Sequence, residues 1–197
     1  MVGNALEQDI LELYSDNPSS LYSINQIATK LGKKYPYINK KVTILIKSQI
    51  FRKTVIGRSH LCSLNLKNDE TIYLLILNEI RKKKKLLESN PRLREATSYI
   101  CKVARLSGAE IALKDRQGLL FVTPRKEEAE ALSRSIVKQA LGGHEFRAMP
   151  RQEFLEMLKE DREIHSSHTI LQGFEKYYEC IREIEDELKL RNSRVIP

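Results

Sequence analysis

Residues 23–64 read SINQIATKLGKKYPYINKKVTILIKSQIFRKTVIGRSHLCSL, and the succession of periods inside that stretch decides the fold. Ser23 stands three residues before Gln26, the spacing of a capping box. Ile24, Ile27, Ala28 and Leu31 follow as a helical stripe, and Gly32 supplies the stop. After a tight link through Lys33, Lys34 and Tyr35, Pro36 favours the first turn of another helix. At 3.6 residues per turn, Ile38, Val42, Leu45 and Ile46 share one side of it. Lys40, Thr43 and Lys47 fall opposite, flanked by Tyr37, Lys41 and Ile44. Beyond Ile50 the pattern changes to FRKTVIG and HLCSLNL, β-branched and apolar runs joined at Gly57-Arg58-Ser59, which predicts a hairpin.

Upstream, Asn4 can cap a helix carrying Leu6, Ile10, Leu11 and Leu13, ended by Asn17-Pro18. Charge is distributed as unevenly as the periods. Residues 1–89 hold 15 basic and 8 acidic side chains, while residues 90–197 hold 19 and 18. Between Asp16 and Asp69 there is no carboxylate, yet the interval contains ten Lys and Arg. A folded, single-signed stretch of this length is the electrostatic footprint of a polyanion binder. A solvated lysine-rich surface explains the lysines but leaves the missing carboxylates unexplained.

Three helices followed by a basic hairpin is the element order of the winged helix-turn-helix, and residues 4–68 resemble that family. The resemblance implies a third helix that enters the major groove of double-stranded DNA. On that helix it assigns base reading to Tyr37, Asn39, Lys40, Thr43, Ile44 and Lys47. Asn39 suits adenine, and the methyl groups of Thr43 or Ile44 suit a thymine methyl. Lys33, Lys34 and Lys41 border the helix start and are expected on phosphates, which position without specifying. Arg52, Lys53, Arg58 and His60 lie on the hairpin, facing the adjacent backbone or minor groove. Tyr35 is expected to pack in the turn. Lysine-rich faces do not separate DNA from RNA, so an RNA- or ribosome-associated protein is the alternative.

Asp69 is expected to cap a connecting helix whose segment Ile72 to Leu77 is apolar almost all round, with surface to spare for a homodimer. The run Arg81 to Lys85 follows late in that helix, where basic residues favour the dipole. Glu88-Ser89-Asn90-Pro91 is the expected boundary, giving domains at 1–68, 69–90 and 91–197.

Beyond it, a helix over 92–106, two short strands around Asp115-Arg116-Gln117-Gly118, a helix from about Arg125 to Leu141, a strand HEFRAM, a helix after Pro150 and a last helix from Phe174 to about Leu190 predict a small α/β domain with a short sheet. The fold class expected for the whole chain is therefore α+β and helix-rich. The segments GLLFVTPRKEEAEAL, MPRQEFLEMLKED and ILQGFEKYYECI resemble the small antitoxin-type nucleotidyltransferase-like domain. That family cradles phosphate on a Gly-Ser loop and holds metal on paired Asp residues. Here Arg116 and Gly118 stand where those carboxylates would, and neither offers Mg²⁺ an oxygen ligand. Asp115 alone cannot build a two-metal clamp. The resemblance therefore implies a scaffold without the chemistry: no enzyme, no cofactor, and a domain left for dimerisation or for a protein or nucleotide ligand.

His165 and His168 sit in HSSH without a companion ligand pattern and are expected to be structural. Cys62, Cys101 and Cys180 are too far apart for a CxxC site and suit reduced thiols in a cytoplasmic protein. With 197 residues, 41% of them hydrophobic, the chain has enough for buried cores, but no apolar run approaches the roughly 20 residues of a membrane span.

Overall fold

A computed structural model of the chain describes residues 5–56, 59–140 and 145–188. It is a helix-rich α+β protein with one three-stranded and one four-stranded sheet. The chain divides into two compact units. One runs through Leu75 and includes the segment from Ile181; the other extends from Ile76 to Cys180.

The first unit begins with α1 (Ala5–Ser15), β1 (Tyr22–Ser23), α2 (Ile24–Leu31) and α3 (Tyr35–Lys47). The strands β2 (Phe51–Ile56) and β3 (Ser59–Leu64) come next. The sheet order is β1-β3-β2, antiparallel throughout, with Tyr22 opposite Cys62 and Phe51 opposite Leu64. Its core is the expected helical stripes closed by the hairpin: Ile10, Leu11, Ile27, Ile38, Val42, Leu45, Phe51 and Leu64 are buried. Tyr14 is the central residue. Its ring packs on Tyr22 and Phe51 at 5.2 and 5.0 Å between centroids, and its hydroxyl donates to Cys62 O at 3.0 Å. Burial pushes that phenol far up, so it stays a neutral donor.

The helix α4 (Asp69–Ser89) runs without interruption through the lysine run. Its cap is Asn68 rather than Asp69: the Asn68 side chain accepts from Glu70 N at 2.9 Å. Because α4 is continuous to Ser89, no linker interrupts it, and the division between units falls inside this helix rather than at the expected break before Pro91. The segment from Ile181, expected with the C-terminal domain, belongs to the first unit. There Arg182 donates to Leu66 O and pairs with Asp69, both at 2.6 Å.

In the second unit, α5 (Pro91–Leu106) starts at the Asn90 cap, whose side chain accepts from Leu93 N at 3.1 Å. It is succeeded by β4 (Ile111–Lys114), β5 (Gly118–Val122), α6 (Lys126–Ala140) and β6 (Glu145–Met149). Next come α7 (Arg151–Glu160), α8 (Arg162–Ser167), β7 (Thr169–Gln172) and α9 (Phe174–Glu183). The sheet order is β6-β5-β4-β7, with β5 and β6 parallel and the other pairs antiparallel. β5 is buried at every residue, as a strand covered on both faces must be. Leu119 and Phe121 pack in a cluster with Leu93, Ile100 and Val103 of α5 and Ala129 of α6.

β7 and α8 occupy the stretch between the helix after Pro150 and the last helix, where no element was expected. Gly173 lets β7 close on the sheet: a Cβ there would lie 2.0 Å from Glu110 O, and its φ is +83°. The expected cap at Asn4, the turn residues Gly57 and Arg58, the stop at Gly142-Gly143 and His144 of the third strand lie outside the described residues.

Candidate nucleic-acid interface

The surface is built from the turn between α2 and α3 outward. Ser23 Oγ accepts from Gln26 N at 3.1 Å while Gln26 Oε1 accepts from Ser23 N at 2.7 Å, completing the capping box. Gly32 ends α2 at φ +61°, and its N–H and that of Lys33 return to Thr29 O and Ala28 O. Lys34 is the cap of α3, with Tyr35 and Pro36 in its first turn. The buried stripe of α3 is Ile38, Val42 and Leu45, which fixes its rotation about its own axis. Ile46, expected in that stripe, is only half-buried at its margin.

Opposite the stripe, Tyr37, Asn39, Lys40, Thr43, Ile44 and Lys47 are all exposed. Tyr37 is 66% and Ile44 41% accessible, a large apolar exposure for a helix whose other face is closed. Thr43 Oγ1 donates back to Asn39 O at 2.7 Å, so its hydroxyl is engaged within the helix. Lys33 and Lys34 are exposed at the helix start. Tyr35, expected to pack in the turn, is 48% exposed because α3 begins at that residue and turns it outward.

Lys41, expected on a phosphate, is engaged by a neighbouring helix. Its Nζ lies 2.9 Å from Glu7 Oε1, and the Glu7 side chain is only 7% exposed. The amine neutralises a buried carboxylate between α1 and α3 and does not join the outward group.

The hairpin leaves the turn after α3 at a defined angle. Gln49 adopts φ +59°, a left-handed conformation uncommon for a residue with a side chain. Its carbonyl accepts from the side-chain amides of Asn65 and Asn68 at 2.8 and 3.1 Å. These two asparagines, which local pattern did not mark, hold the end of α3 against the base of β3. On the ribbon, Lys53 and His60 are exposed and Arg52 is half-buried. Lys53 stands opposite Cys62 and Arg52 opposite Ser63. Arg58 lies outside the described residues.

In the second unit the residues expected at a lost phosphoryl-transfer centre serve the hairpin between β4 and β5. Asp115 Oδ1 accepts from Gln117 N and Gly118 N at 2.8 and 2.9 Å, and its other oxygen accepts from Arg147. Gly118 faces Glu145 in the parallel pairing, and a Cβ on it would fall 1.8 Å from Glu145 O. No side chain fits there, carboxylate or otherwise. The cleft beside this turn, bordered by Arg116, Asp161 and Ser167, encloses about 80 Å³. Small-molecule sites take roughly 300 Å³ or more.

His165 and His168 are buried. His165 Nε2 bonds Leu158 O at 2.9 Å and His168 Nδ1 bonds Ile164 O at 2.6 Å, while the remaining nitrogen of each ring has no partner among the described residues. Burial lowers both, and Lys82 lowers His168 further, to about 3. Both are therefore neutral rings packed in the core, the second lying 4.7 Å from Tyr177. Among the described residues, no group of three or more His, Cys, Asp and Glu is arranged to hold a metal, and no helix is long and apolar enough to cross a membrane. All three cysteines are free thiols.

No known protein family, curated protein or solved structure matches this chain.

Proposed function

We propose that residues 5–68 act as a winged helix-turn-helix that binds double-stranded DNA, and that the chain is a transcriptional regulator. The observation that carries this reading is the outer face of α3: Tyr37, Asn39, Lys40, Thr43, Ile44 and Lys47 exposed together, in an interval with no carboxylate from Asn17 to Asn68. Polar, cationic and methyl-bearing groups on one helix match the chemistry of base edges in the major groove. Lys33, Lys34 and Lys53 supply further amines for phosphates. Lys41, expected among the phosphate contacts, is instead paired with Glu7. The β1-β3-β2 sheet behind three helices supports the same reading.

The second unit is proposed as a nucleotidyltransferase-like scaffold without catalysis, serving as a platform for a partner or ligand. Asp115 is engaged by its own turn and by Arg147, and position 118 cannot accept a carboxylate.

The test is selection from a pool of random duplexes with the full chain, compared with Lys40→Ala and Lys53→Ala. The wild-type chain is expected to enrich a defined motif. Lys40→Ala should weaken or alter that motif, and Lys53→Ala should weaken binding to all sequences alike. Absence of duplex binding at low salt, or capture of structured RNA in preference, would overturn the assignment.

A further inference from the structure

One side of α4 carries a second pattern. Glu70, Tyr73, Leu77, Ile80 and Lys84 recur at intervals of 3, 4, 3 and 4 residues, the repeat of a two-helix seam. All five are exposed. The three apolar members are 61, 49 and 45% accessible, although the opposite side of the helix, at Thr71, Ile72, Leu75 and Glu79, is buried. The seam is also polarised along its length. Glu70 marks its acidic end and Lys84 its basic end, about 20 Å away at 1.5 Å per residue.

We infer that α4 pairs with α4 of a second copy of this chain, antiparallel, about a twofold axis near Asn78. Charge complementarity decides both occupant and orientation. A parallel pair would set acidic beside acidic and basic beside basic. An antiparallel pair brings Glu70 within one turn of Lys84 of the partner subunit, twice by symmetry. In that register Leu77 meets Ile80 of the partner subunit, and the Tyr73 ring meets Lys84 of the partner subunit, an arrangement suited to cation–π contact. The pair Lys84–Glu88 within the helix is 3.9 Å long and solvent-exposed, too weak to compete. A nucleic acid would find the amines of the run but would be opposed by Glu70 and would leave the apolar side chains uncovered. The seam is separate from the outer face of α3, and its pairing requires no nucleic acid.

The experiment is sedimentation equilibrium of the full chain, free of nucleic acid, for wild type, Leu77→Asp, Glu70→Lys, Lys84→Glu and the double variant Glu70→Lys/Lys84→Glu. Circular dichroism confirms that each is folded, as substitutions at exposed positions should leave it. The wild type is expected to dimerise reversibly. Leu77→Asp should abolish the dimer, each single charge reversal should weaken it about tenfold, and the double reversal should restore it. A wild type that stays monomeric, a dimer indifferent to Leu77→Asp, or reversals that fail to rescue each other would overturn the inference.

Discussion

Two polar clusters have opposite fates in this molecule. On α3, Asn39, Lys40, Thr43 and Lys47 project from a helix whose packing is complete without them. At the turn between β4 and β5, Asp115 and Arg147 face each other and are consumed by the fold: one accepts two backbone N–H groups, the other neutralises it. The first cluster costs nothing to leave unpaired in water and is available to a ligand. In the second, both Asp115 oxygens are already engaged, so a ligand at that carboxylate would have to replace bonds rather than add them. The same contrast recurs between neighbours, since Lys40 is exposed and Lys41 closes a buried ion pair with Glu7.

The sharpest way to break the comparison is to place a side chain where the turn forbids one. Gly118→Ala should destabilise the protein by at least about 3 kcal/mol, because the added carbon meets the backbone of β6, which cannot yield without breaking the ladder. Chemical denaturation monitored by far-ultraviolet circular dichroism measures this. A near-neutral result would show that the turn has room for a functional group after all.

Lys41→Ala should cost roughly 2 kcal/mol by stranding the Glu7 carboxylate, while Lys40→Ala should leave stability within about 0.5 kcal/mol. Thermal melts of the two variants side by side decide whether adjacent lysines are divided between fold and surface. Equal melting temperatures would refute the division.

The buried imidazoles set a pH dependence. Both have pKa values below the unfolded value of about 6.5, so the unfolded chain binds protons that the folded chain refuses. Their contribution to stability is complete above about pH 6.5 and is lost as pH falls below it, for His168 down to about 3. His168→Phe should flatten this acid limb in denaturant titrations at successive pH values. An unchanged limb would assign it to carboxylates instead.

Much of α2 and α3 was legible locally. The Ser23–Gln26 box, the Gly32 stop and the stripe Ile38-Val42-Leu45 are written within single helices, and the structure realises each. What local pattern could not convey are pairings across the chain. β1 is two residues long, too short for any period, and exists only because Tyr22 and Ser23 meet Cys62 and Leu61. Lys41 borders the buried stripe on a helical wheel, a hint of partial burial, but Glu7 is 34 residues away. The Gln49 turn needs Asn65 and Asn68 from beyond the hairpin. β7 is a four-residue segment, Thr-Ile-Leu-Gln, too short to carry a period, and it becomes a strand only because a neighbouring edge, β4, receives it.

The central claim is that α3 and the β2–β3 hairpin present one cationic surface to a duplex. Its most direct test is the salt dependence of duplex affinity for the full chain, measured by fluorescence anisotropy. With about five phosphates neutralised, the plot of log affinity against log salt should have a slope near −4.5. A slope near zero would contradict the account.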